Sequence, residues 1–284
     1  MFLKISIASL CAALAAAVPA WADESISIRG APVAAEPVNA AAAQLKKETG
    51  LEFRIVTDGG SAGAVAGIGE DVVDVALLSR NITPRELASW PDKHFSEVQF
   101  GTQALLIVVP EQVWNSGVHA LTRDQIRDLY EGNVKNWKAL GGQDRKVIFY
   151  NRDARGSAWE LFMMFLYDDT RKAPPSDAEV LAEPSDVTTA VEYNGGSISF
   201  LEYSAPKPAA VHALGIRLPD GKVVEPTLEN IASGRYALAR PLVIATPRKP
   251  AGNVRRFVEF MLGPTGQSFL KKTGHLSVAD LEGK

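Results

Sequence analysis

Gly59-Gly60-Ser61-Ala62-Gly63 sets one hydroxyl among residues with almost no side chain. The run lies between an alternating stretch, Leu51–Ile55, and a small-residue, helix-compatible stretch, Ser61–Ile68. A helix starting there would offer unpaired N–H groups and the positive end of its dipole to an anion, and the glycines would let a ligand approach the backbone. The bland alternative is a tight turn with an ordinary cap. The same run is a literal G-x-S-x-G, the serine elbow of α/β-hydrolases. Here the serine follows only the second strand and no HGGG-type loop precedes it, so an esterase using Ser61 is the weaker reading. A second strand–loop–helix passage is richer in charge. Lys146–Tyr150 reads as a strand running into Arg152, Arg155, Gly156 and Ser157 and then a helix over Ala158–Tyr167. Arginine there supplies a charged donor fork. The four histidines show no metal spacing, and the single cysteine is Cys11. Neither a metal nor a cofactor is expected.

The elements that must hold these loops alternate between strand and helix. Ser25–Ile28 alternates apolar and polar, Glu36–Glu48 reads as a helix with Pro37 in its first turn and Gly50 beyond its end, and Val72–Leu78 fits a buried strand. Thr83-Pro84-Arg85-Glu86 is a capping box. This βαβαβα opening argues for a mostly parallel sheet covered by helices. The pattern then changes. Gln103–Val109 is a long apolar strand, and Thr122 to Gln125 is a second capping box whose helix ends near Tyr130. Residues 168–185 read as a surface excursion, Val187–Tyr193 as a short helix, and Ile198–Tyr203 and Pro241–Thr246 as strands. Asn253–Leu262 and Thr265–Lys272 read as helices split by Gly263-Pro264.

Residues 1–22 read as a signal peptide: a positive start at Lys4, an uncharged apolar run over Ile5–Val18, and small residues at Ala20 and Ala22 ahead of the cut. No later apolar run is long enough to span a bilayer. A formal net charge of −3 argues against general nucleic-acid binding.

Four segments in order carry a likeness. They are Asp58–Gly63 with Val73–Arg80, Leu121–Gly132 with Asn136–Gly142, Pro226–Tyr236 with Ala239–Leu242, and Phe257–Ser268. Together they resemble the phosphate-binding proteins of bacterial phosphate ABC transporters, within the type II periplasmic binding protein fold. The resemblance implies an α/β protein of two lobes, each a mostly parallel sheet flanked by helices, joined by crossover strands at Gln103–Val109 and Pro241–Thr246. Lobe one would comprise residues 23–104 and 238–284, and lobe two residues 105–237. It implies a ligand site between the lobes built from Gly60, Ser61, Ser79, Arg80, Arg152, Arg155, Gly156 and Ser157. It further implies a periplasmic monomer that is not an enzyme, holding phosphate or a similar small oxyanion for an ABC transporter permease. An anion sensor or envelope scaffold on the same fold is the alternative. Two loops depart from the family pattern. Arg29-Gly-Ala-Pro-Val33 lacks the usual hydroxyl, and Gly156 and Ala158 stand where the family has serine and threonine, while Arg155 is extra. Sulfate, another oxyanion or a small organic acid therefore stays open as the ligand.

Overall fold

The computed structural model describes residues 25–174 and 178–283, so the expected signal peptide lies outside the described residues. β1 (Ser25–Gly30) buries Ile26, Ile28 and Gly30, as its alternation requires. Gly30 must be glycine, because a Cβ there would stand 2.5 Å from the Cβ of Leu77. α1 (Pro32–Thr49) then starts earlier than the sequence suggests. Pro32 takes the first helical position and Pro37 falls inside the helix. Burial of Val33, Ala34 and Ala35 fixes that earlier start and offsets the N–H that Pro37 lacks. β2 (Glu52–Val56), α2 (Gly60–Gly69) and β3 (Val75–Leu78) follow. β3 is shorter than the apolar run that encodes it, because Asp74 turns back to bond the Ser27 hydroxyl and amide.

α3 (Pro84–Ser89) opens on the Thr83–Glu86 capping box. β4 (Ser96–Pro110) is the longest strand. α4 (Glu111–Trp114), β5 (Ala120–Thr122) and α5 (Arg123–Tyr130) come next, α5 with the Thr122–Gln125 box. β6 (Ile148–Asn151), α6 (Ser157–Tyr167), β7 (Glu179–Val180), α7 (Pro184–Tyr193) and β8 (Ser197–Glu202) form the next run. β9 (Val211–Arg217), β10 (Val223–Val224), α8 (Leu228–Ala232) and β11 (Ala239–Thr246) lead to α9 (Gly252–Leu262), α10 (Pro264–Lys272), β12 (Leu276–Ser277) and α11 (Val278–Glu282).

The strand order β2-β1-β3-β11-β4-β8-β6-β7 carries two lobes. β1 pairs in parallel with β2 and β3, and β6 with β7 and β8. β4 is the seam. Its first part, Ser96–Ala104, lies antiparallel to β11, and Leu105–Pro110 is antiparallel to β8 and β9. Each side has its own apolar core. One gathers Ile26, Ile28, Val38, Phe100 and Phe257, and the other Tyr130, Trp137, Phe162 and Phe200. Phe162 and Phe200 stack at 4.1 Å between centroids and hold α6 against β8. The described excursion residues include β7, which extends the β6 edge.

Candidate functional site

In the first lobe the site grows from two ends of parallel strands, where open α/β sheets leave a crevice. Gly59 and Gly60 take φ of 71° and 55°, a region that side chains resist, and α2 begins there with no side-chain cap. Its first-turn amides therefore lack an intrahelical acceptor. A missing cap does not by itself mark a site, since α7, α9 and α10 lack one too. The hydroxyls are the distinguishing feature. Ser61 Oγ accepts the Ser79 amide at 3.0 Å, and the two serine hydroxyls stand 3.3 Å apart. Arg80 is held back. It pairs with Glu86 through both terminal nitrogens at 2.7 and 2.8 Å, and that guanidinium drives the Glu86 carboxyl down to about 2. Arg29 is tied to Asp58 at 2.8 Å beneath the glycine loop.

In the second lobe the arginines are also engaged. Arg152, only 7% exposed, meets Glu202 in a fork at 2.8 and 3.1 Å and donates to the Ala182 carbonyl at 3.2 Å. Its Nε is buried with no partner among the described residues. Arg155 points the other way in character. Its side chain is 91% exposed and folds back onto Asp153 at 2.7 Å, holding that carboxyl at about 2. α6 begins at Ser157 with Gly156 as an uncapping N-cap. Ser157 Oγ accepts from Gln103 at 2.9 Å, Gln103 accepts from Arg240 Nε at 2.9 Å, and Arg240 reaches Glu160 at 3.1 Å. Gln103 and Arg240 are register partners on β4 and β11. This network thus clamps the α6 start to both crossover strands.

Of the eight residues expected from sequence, six line two adjoining cavities, and Gly60 and Ser61 line neither. Arg152, Arg155, Gly156 and Ser157 line a cavity of about 550 Å³ together with Glu36 and Glu202. Ser79 and Arg80 line an adjoining one of about 860 Å³ together with Arg240. Glu160 borders both. Gly60 and Ser61 stand behind Ser79 rather than on either wall. Glu36 stands exposed on α1, yet desolvation by the cleft walls, and then the Glu202 carboxylate, raise it above the ordinary range.

Sequence reasoning missed Gln103, Arg240, Glu36 and Glu202. A polar residue opening the apolar run of β4, and an arginine entering the apolar run of β11, were the available signals. The hydrolase alternative finds no geometry. Ser61 bonds Ser79, whereas His275 is buried beside Thr273 and is pushed down to about 4, by burial first and then by Arg240. No group of three or more metal-ligating side chains forms among the described residues.

A family model described as the PBP superfamily domain matches residues 17–265. The chain belongs to the PBP superfamily. Among curated relatives of this PBP chain, the phosphate-binding protein PstS of Borreliella burgdorferi is 24% identical over 77% of this chain and 77% of its own length. PstS of Bacillus subtilis is 25% identical over 92% of this chain and 83% of its own. Solved structures show the same fold. A possible phosphate binding protein from Planctomyces limnophilus superposes with a TM-score of 0.79 at 20% identity, covering 91% of this chain and 95% of that one. PstS from Borrelia burgdorferi follows at 0.69 and 22%, covering 89% and 98%. The PBP fold is therefore shown, with its two lobes and crossover strands. Among the described residues no helix is long and apolar enough to cross a membrane.

Proposed function

We propose that this PBP-superfamily protein captures phosphate, or a similar small oxyanion, between its lobes and delivers it to an ABC transporter. The relatives named phosphate-binding protein PstS support the ligand class. One structural observation carries the reading: Ser79, its hydroxyl beside that of Ser61 at the uncapped start of α2, lines a cavity that adjoins, across Glu160, the cavity lined by the uncapped start of α6. In this reading Gly60, Ser61 and Ser79 supply neutral donors from one lobe, and Gly156 and Ser157 from the other. Arg152 supplies positive potential, although Glu202 already shares its fork. Arg80 and Arg155 act at the rim, each held by its own acid. Residues 23–104 and 238–284 form one lobe and 105–237 the other, with closure bending the chain where β4 and β11 cross. Export through a cleaved segment at residues 1–22, a periplasmic location, a monomeric state and a permease partner belong to the same reading.

A thermal-shift series against phosphate, sulfate, molybdate and citrate, with a neutral sugar as control, tests it. A true ligand at a hundred times its dissociation constant adds about 2.7 kcal/mol of stability. An unmoved melting temperature with every anion, alongside a shift with the sugar, overturns the oxyanion reading.

A further inference from the structure

The cleft is larger than a bare oxyanion needs. The cavity of about 860 Å³ beside Ser79 lies within the range that holds drug-sized ligands, roughly 300–1,000 Å³. Its walls are mostly apolar, unlike those of the compartment beside Arg152. One wall is a single face of α6, because Leu161, Met164 and Phe165 recur at helical spacing. Leu161 and Phe165 are anchored in the core, but Met164 is 42% exposed. The facing wall carries Leu218 and Pro219, just beyond β9, and Ala239 at the start of β11. An unbranched thioether left wet beside leucine and proline is a surface that gains by being covered with an apolar group.

The charges of this cavity point the same way. Arg80, Arg123 and Arg240 are each held by an acid, Glu86, Asp168 and Glu160 in turn. Asp124, the remaining acid of this cavity, is paired with Arg127 at 2.8 Å, whereas Arg217, exposed at the end of β9, pairs with no carboxylate among the described residues. The cavity therefore combines an apolar floor, an unneutralised cation and the hydroxyl of Ser79.

We propose that the ligand is an organic oxyanion, a phosphate monoester with an apolar substituent. Its phosphoryl group meets Ser79, backed by Ser61, and its apolar body lies against Met164 and Leu218. The inference rests on the oxyanion reading above and narrows its substrate class. Arg217 gives the cavity the sign that such an anion complements, and that a cationic or neutral apolar molecule would not use.

Isothermal titration of the purified protein with phenyl phosphate and with inorganic phosphate tests the proposal. Phenyl phosphate is expected to bind at least about tenfold more tightly, since covering one exposed apolar side chain and a facing leucine is worth that much. Met164→Gln should lower this preference at least about fivefold, and Leu218→Gln should act in the same direction. Both are partly solvent-exposed positions, and two variants guard against a local packing defect in either one. Inorganic phosphate binding as tightly as phenyl phosphate, or more tightly, overturns the organic ligand and leaves the oxyanion reading standing. A preference unchanged in both variants overturns the assignment of the apolar body to this cavity. Binding of neither anion overturns the oxyanion reading and this inference together.

Discussion

The two sides of the cleft differ in the groups they carry. The side built on α2 and β3 presents neutral donors: two serine hydroxyls 3.3 Å apart and helix-start amides reached past two left-handed glycines. The side built on β6 and α6 presents charge, but the charge is compensated before any ligand arrives. Glu202 occupies the fork of Arg152 and Asp153 that of Arg155. The difference teaches that counting arginines near a loop overstates its pull on an anion. A guanidinium that already shares two hydrogen bonds with a carboxylate offers a ligand only residual potential, and its main contribution is to fix the loop.

The largest effect should come from breaking the charged side. Arg152→Ala leaves Glu202, whose side chain is only 18% exposed, without its partner. Removing one member of a buried pair costs about 3–5 kcal/mol, so a urea melt should show the loss, and the double change with Glu202→Gln should recover part of it. If Arg152→Ala left stability intact while abolishing anion binding, the fork would be a ligand group and the contrast between the two sides would collapse.

The next effect sharpens the neutral side. Ser61→Ala removes the acceptor of the Ser79 amide and one member of the hydroxyl pair. Phosphate affinity should fall by roughly 1–2 kcal/mol, with the fold intact by circular dichroism. An unchanged affinity would move the anion away from α2. The smallest effect belongs to Arg155→Ala. Its side chain is 91% exposed and, among the described residues, bonded only to Asp153, so stability and phosphate affinity should both stay within about 0.5 kcal/mol. A marked loss of affinity would show that Arg155 turns into the cleft on closure.

Much of this was legible beforehand, for identifiable reasons. Alternation and capping boxes located β1, α3 and α5, because those signals act within a few residues. The glycine run announced α2, because its left-handed backbone admits little else. The start of α1 was not legible. Pro37 resembles a first-turn proline until the burial of Val33 and Ala34 is known, and that burial depends on the partner sheet. β9 was missed because His212 and Gly215 interrupt its apolar pattern, and its pairing with β4 is long-range. Ser61 could be named from its own neighbourhood, and its contact with Ser79 joins the ends of β2 and β3, which flank β1 in the sheet. The counter-ions could not. Glu202 lies far from Arg152 in sequence, and no local pattern ties an acid on β8 to a loop after β6. Sequence thus supplied donors without their partners, and the charge balance of the cleft emerged only from the fold.

The contrast has a direct consequence for salt. Free arginines would bind an anion less well as ionic strength rises, whereas hydroxyls and helix-start amides at short range are little screened. The deciding measurement is isothermal titration of phosphate at about 50 mM and about 500 mM sodium chloride, across which the screening length falls severalfold. Neutral donors and internally paired arginines, with the exposed Arg217 already screened by solvent at the cavity rim, predict a dissociation constant that changes by less than about threefold. A weakening of about tenfold or more would contradict the account and return the binding to uncompensated charge.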